Sequence, residues 1–90
     1  MIKMSVKELV YEVKEEILCY EQLGEKKADE WEQKFNLWLG DKSIKKKNVL
    51  EKGAMQYYCI EDESAVFDIA DEYLEAVENG REEEYWKHFQ

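Results

Sequence analysis

Five carboxylates, Asp68, Asp71, Glu72, Glu75 and Glu78, are the side chains whose type and spacing most invite a chemical reading. Neighbouring carboxylates can move protons as general acid and base, or hold a divalent cation. Acid catalysis needs one carboxyl buried among apolar groups so that its pKa rises, and none of the five lies in a stretch that implies such burial. A calcium loop needs alternating oxygen ligands around a central Gly; the nearby run Glu61-Asp62-Glu63 has neither. The nucleophile candidates are isolated. Cys19 and Cys59 are far apart, His88 is the only histidine, and Ser5, Ser43 and Ser64 occupy positions that read as caps or turns. An activated nucleophile needs a positioned base and a third group to orient it. Two cysteines and one histidine also fall short of the usual four ligands of a structural zinc site. Gly24 and Gly53 belong to no phosphate-cradling pattern. The expectation is a protein that is not an enzyme and needs no metal or cofactor.

What remains is charge, and it is segregated. The chain has 90 residues and a net charge of −9. Residues 1–47 balance ten Lys against ten acids, whereas residues 48–90 set twelve acids against Lys52, Arg81 and Lys87. At 100° per residue the five carboxylates share one helix face, opposite Val66, Phe67, Ala70, Tyr73 and Leu74. Side chains one turn apart stand about 5–6 Å from each other, and like charges at that spacing repel by a few tenths of a kcal/mol per pair. Glu82, Glu83 and Glu84 carry the acidic run past Gly80. The first helix, by contrast, mixes Glu8, Glu12, Glu15 and Glu16 with Lys7 and Lys14. A one-signed face is either a solubilising surface or a docking surface for a basic partner, where opposed fields steer encounter.

These residues need elements to position them. Ser5 and Glu8 fit a capping box, and Val6, Leu9, Val10, Val13 and Ile17 follow at helical spacing, which predicts a first helix over 5–23 closed by Gly24. Ala28, Trp31, Phe35 and Trp38 form the stripe of a second helix that ends at Gly40, antiparallel to the first. Residues 41–60 read two ways. Asn48 and Glu51 can cap a helix through Leu50, Ala54 and Tyr57; but Gly53 costs about 1 kcal/mol in a helix, Tyr57-Tyr58-Cys59-Ile60 favours a strand, and Lys52-Gly53 suits a hairpin turn. The break at 61–64 introduces a helix over 64–79, and a short helix over 81–89 carries Tyr85, Trp86 and Phe89. The fold class expected is mainly α, a single domain over 1–90 of four to five short helices; the alternative is α+β with a hairpin in 44–60. The core is expected from Val6, Val10, Val13, Ile17, Trp31, Phe35, Trp38, Phe67, Ala70, Leu74 and Val77. Tyr57, Tyr58 and Trp86 flank the acidic segment and are expected to be partly exposed.

Lys outnumbers Arg twelve to one. Arg is the better reader of phosphates and bases, so its scarcity and the acidic balance argue against direct nucleic-acid binding. No apolar run approaches a membrane span, and the first residues lack the apolar core and cleavage site of a signal peptide. A cytoplasmic location with free thiols is expected. In size, acidity and lack of motifs the chain resembles the anti-CRISPR and other anti-defence proteins of phages and mobile elements. That resemblance is one of overall character. It implies inhibition of a nucleic-acid-handling complex by mimicry or steric block. The interface would be Asp68, Asp71, Glu72, Glu75, Glu78, Glu82, Glu83 and Glu84 with Tyr57, Tyr58 and Trp86, against a basic protein surface. An immunity protein or antitoxin, or a small homo-oligomeric interaction module, is the alternative. Purified protein is expected to carry no stoichiometric metal and to melt alike with and without chelator. Elemental analysis and paired thermal scans check this.

Overall fold

Ser5 opens the helical part of the chain. Its Oγ accepts the Glu8 backbone N–H at 3.2 Å, which meets one of the unpaired donors of the first turn. In the computed structural model, which describes residues 1–89, the elements run β1 (Ile2–Ser5), α1 (Val6–Leu18), α2 (Gly24–Gly40), β2 (Val49–Lys52), β3 (Met55–Ile60), α3 (Ser64–Glu78) and α4 (Glu82–His88). Helices hold most of the chain, as the periodicity implied. The architecture is nevertheless α+β: a three-stranded antiparallel sheet of order β1-β3-β2 joins the helices, and the hairpin alternative for 44–60 is the one adopted.

Gly53 decides between helix and hairpin. Its φ of +65° has no place inside a right-handed helix. Lys52 pairs with Met55, which leaves Gly53-Ala54 as a two-residue loop. A positive φ confined to the first central residue is the requirement of a type II′ hairpin turn. The turn therefore falls one residue later than Lys52-Gly53. β1 has no counterpart in the sequence reading. Four residues are too few to display a period, and the strand forms because β3 offers it a partner edge, with Ile2 opposite Ile60 and Ser5 opposite Tyr57.

The end of α1 also differs, and Gly24 opens α2 instead of closing α1, whereas α3 ends at Asn79-Gly80 as expected. α1 stops at Leu18, five residues short of the expected end, because the chain turns through Tyr20, whose N–H bonds Ile17 O at 3.1 Å. α3 ends in a Schellman motif. The Gly80 N–H meets Val77 O at 3.3 Å and the Arg81 N–H meets Ala76 O at 2.7 Å, with Gly80 at φ +66°. That closure turns the chain sharply into α4.

α1 packs against both α2 and α3, and α4 packs on α3. The core between them is aromatic. Trp31 stacks on Phe35 at 5.0 Å, and Phe89 meets the Trp38 ring edge-on at 5.0 Å and the Phe35 ring edge-on at 5.7 Å. Val10, Val13, Ile17, Trp31, Phe35, Trp38 and Ala70 are buried as expected, and Val6, Leu74 and Val77 pack at the margin. Phe67 is the correction. It is 49% exposed, because it lies about 120° around the helix from buried Tyr73. Ile69 and Ala76 occupy the inward positions of α3 instead. Phe35→Ala is expected to lower stability by about 3–5 kcal/mol, while Phe67→Ala should stay within about 1 kcal/mol of wild type. Urea unfolding of both variants, compared at equal m-value, checks the pair.

Candidate functional site

α3 is positioned from its first turn. The Asp62 carboxylate accepts the Ser64 N–H at 2.9 Å and also the Ser64 hydroxyl, and these bonds hold the Asp62 carboxyl below its usual range. From there Val66, Ile69, Ala70, Tyr73 and Ala76 face the core. Asp68, Asp71, Glu72, Glu75 and Glu78 are all exposed on the other side. Asp71 accepts a hydrogen bond from the Tyr20 hydroxyl, which ties the α1–α2 connection to the middle of α3. The other four carboxylates form no ion pair among the described residues.

The acidic residues beyond Gly80 divide. Glu82 is half-buried and receives Lys27 at 3.2 Å, so it ties α4 to α2. Glu30 also takes Lys27, at 3.0 Å. Hydrogen bonding to Glu30, then to Glu82, raises the Lys27 ammonium above its ordinary value. Glu83 and Glu84 stay exposed. Glu84 lines a groove of about 470 Å³ between α3 and α4 with Glu72, Glu75, Arg81 and His88.

The aromatic candidates do not share one surface: Tyr58 lines a groove with Asp68 and Glu72, and Trp86 another with Glu83. Tyr58 is only 2% exposed and faces the core, while Tyr57, its neighbour in β3, lies half-buried on the other face of the sheet under the Lys3 ammonium at 4.8 Å. Strand alternation dictates that split, so the two tyrosines cannot serve one surface. Trp86 is half-buried against Trp31 at 6.0 Å and Tyr85 at 5.1 Å, as part of the core. Burial pushes the Tyr58 phenol up, and Tyr73 up to about 12.

The structure adds a second acidic wall. α1 looked mixed in sign, but Lys14 turns toward α2, reaching Glu32 at 2.7 Å and Asp29 at 3.2 Å. Its hydrogen bond with Glu32 holds the ammonium above its ordinary value. Glu8, Glu12 and Glu16, each one turn after the last, remain on the side facing α3. With Glu63 they border a groove of about 460 Å³ whose apolar floor includes Ile2, Met4, Val66 and Phe67. The i, i+4, i+8 spacing of those glutamates was present in the sequence. Which helix they would face was not.

Cys19 is exposed and Cys59 half-buried, and both are free. Among the described residues no three His, Cys, Asp or Glu side chains group as a metal would require, and no helix is long and apolar enough to cross a membrane. The arrangement offers charge and shape: an outward carboxylate face on α3, continued across an apolar-floored groove onto α1. Comparison of the chain with protein-family models, with curated proteins and with solved structures finds no match.

Tyr85 holds this surface in place from behind. Its hydroxyl accepts the Trp31 Nε1–H at 3.1 Å and donates to Ile69 O at 3.0 Å, joining α2, α3 and α4. Burial drives its phenol far above the ordinary tyrosine value, so the hydroxyl remains a donor. Tyr85→Phe strands a buried indole N–H and should cost about 1–3 kcal/mol, with the packing of the ring retained. Chemical denaturation gives the cost, and near-ultraviolet circular dichroism confirms that the aromatic layer persists.

Proposed function

We propose that the chain is a non-enzymatic inhibitor that binds another protein, with the acidic face of α3 occluding a basic, nucleic-acid-binding surface of that partner. The observation that carries this reading is the exposure of Asp68, Asp71, Glu72, Glu75 and Glu78 on one helix, with none of the five in an ion pair among the described residues; the nearby cation is Arg81, which shares a groove with Glu72 and Glu75. An α-helix rises about 1.5 Å per residue, so these carboxylates follow one another roughly every 4 Å along the axis. A single DNA strand carries one charge per about 3.4 Å. The spacing fits a surface that ordinarily receives phosphates. The groove between α1 and α3 widens the same negative field with Glu8, Glu12, Glu16 and Glu63. Inhibition by occlusion in the manner of anti-CRISPR-type proteins is the form of activity this favours.

The test reverses charge where no internal contact is lost. Asp71 is left alone because it accepts the Tyr20 hydroxyl. Asp68, Glu72 and Glu75 are changed to Lys together, which should leave the fold intact, because exposed charges contribute little to stability. After capture and identification of the partner, the triple variant is expected to associate at least about tenfold more slowly than wild type, and added salt should slow wild type itself. Added nucleic acid should compete with wild type for the partner. The equal-charge control is Glu15, Glu21 and Glu25 to Lys, three exposed sites outside the α3 face and the groove. Equal association rates for the two triple variants would reduce the α3 face to a solubilising surface.

A further inference from the structure

The structure carries a basic apolar knob as well as an acidic apolar socket. Residues 41–48 link α2 to β2 and carry Lys42, Lys45, Lys46 and Lys47 against Asp41 alone, a net +3. Ile44 stands in the middle of this loop, 42% exposed. Lys46 is committed within the chain. It donates to Asp41 O and to Ile44 O, and lies over the Trp38 ring at 5.6 Å. These bonds brace the loop, so that Ile44 is presented on a shaped turn. Lys42, Lys45 and Lys47 are exposed and form no ion pair among the described residues. The socket is the groove between β1, α1 and α3. Its lining holds Glu8, Glu12, Glu16 and Glu63 against Lys3, a net −3. Its floor exposes Phe67 and the edge of Ile2.

We infer that this loop of one copy docks into the acidic groove of a second copy, giving a weak head-to-tail self-association. The two surfaces carry charges equal in magnitude and opposite in sign, and each includes an exposed apolar side chain. Aliphatic Ile44 entering a floor of Phe67 and Ile2 supplies the apolar contact that ion pairs between exposed side chains lack. The loop cannot fill its own groove. It lies against Trp38 and Trp86, on a surface that shares no lining residue with the socket. Knob and socket are different patches, so the contact is heterologous and extends into open chains or rings beyond the dimer. Opposing it is the repulsion of two bodies of net charge −9. That repulsion spans whole molecules at 0.01 M salt, where the screening length is about 30 Å, and is cut to about 8 Å at 0.15 M, while pairs in contact survive. The inference rests on the two surfaces and stands apart from the inhibitor reading. A copy seated in the groove would also cover part of the negative field beside α3.

Sedimentation equilibrium of the full chain tests it. Wild type at 0.15 M salt should show an average mass that climbs with concentration above the 10.9 kDa monomer and passes the dimer without a plateau. It should fall back at both 0.01 M and 1 M salt. Ile44→Glu removes the knob and Phe67→Lys the socket, and both sites are exposed enough to spare the fold, which circular dichroism verifies. Each variant alone should remain monomeric. Mixed in equal amounts they should form a one-to-one dimer and go no further, since one intact knob and one intact socket remain. A wild type that stays monomeric throughout, a single variant that associates as wild type does, or a mixture that stays monomeric overturns the inference.

Discussion

The edge-to-face packing of Phe89 against Trp38 and Phe35 is the contact on which the arrangement of helices depends. Phe89 follows α4, while Trp38 and Phe35 lie on α2, and Tyr58 of β3 approaches the same ring at 6.3 Å. One side chain near the end of the chain therefore joins a helix, a strand and the last helical turn. Each such ring pair adds about 0.5–1.5 kcal/mol beyond the area it buries. Behind it, Trp31, Tyr85 and Ile69 O form a short hydrogen-bonded line across α2, α4 and α3. A domain of this size buries a limited fraction of its surface, and large rings are an efficient way to fill so small an interior.

That interior frees the outside of α3. Its buried side is made of Val66, Ile69, Ala70, Tyr73 and Ala76, so of the acidic stripe only Asp71, through the Tyr20 hydroxyl, is tied to the rest of the fold. The repulsion between like charges along the helix, a few tenths of a kcal/mol per pair, is small against the burial of Tyr73 and its neighbours. A one-signed surface can persist on a helix anchored so firmly from within. Two lysines that could have offset it are engaged elsewhere: Lys14 with Asp29 and Glu32, Lys27 with Glu30 and Glu82. Drawing cations toward α2 leaves the α1–α3 side negative, and the net charge of −9 becomes a directed field with a groove at its border.

Helices and the acidic stripe were legible in the residues because both are local. The capping hydroxyl of Ser5, the apolar period of α2, the break before Ser64 and the left-handed glycine after α3 each act within a few residues. The spacing of Asp68, Asp71, Glu72, Glu75 and Glu78 becomes a face as soon as the segment is helical. Gly53 carried the hairpin in its backbone requirement, although strand and helix propensities around it were balanced. What only the tertiary structure decided is non-local. β1 exists because β3 had a free edge for Ile2–Ser5. Phe67 fell outside the core because the packed side of α3 is the one that carries Val66, Ile69, Ala70, Tyr73 and Ala76. Tyr57 and Tyr58 were parted by the pleat of a strand whose inner face was set by the helices it covers. The mixed charge of α1 sorted itself only when Lys14 found Asp29 and Glu32, residues eighteen or fewer positions away in sequence but on another helix. Period and propensity act along the chain. The partner that each face meets is chosen by packing across it, and that choice turned a charged helix into the wall of a groove.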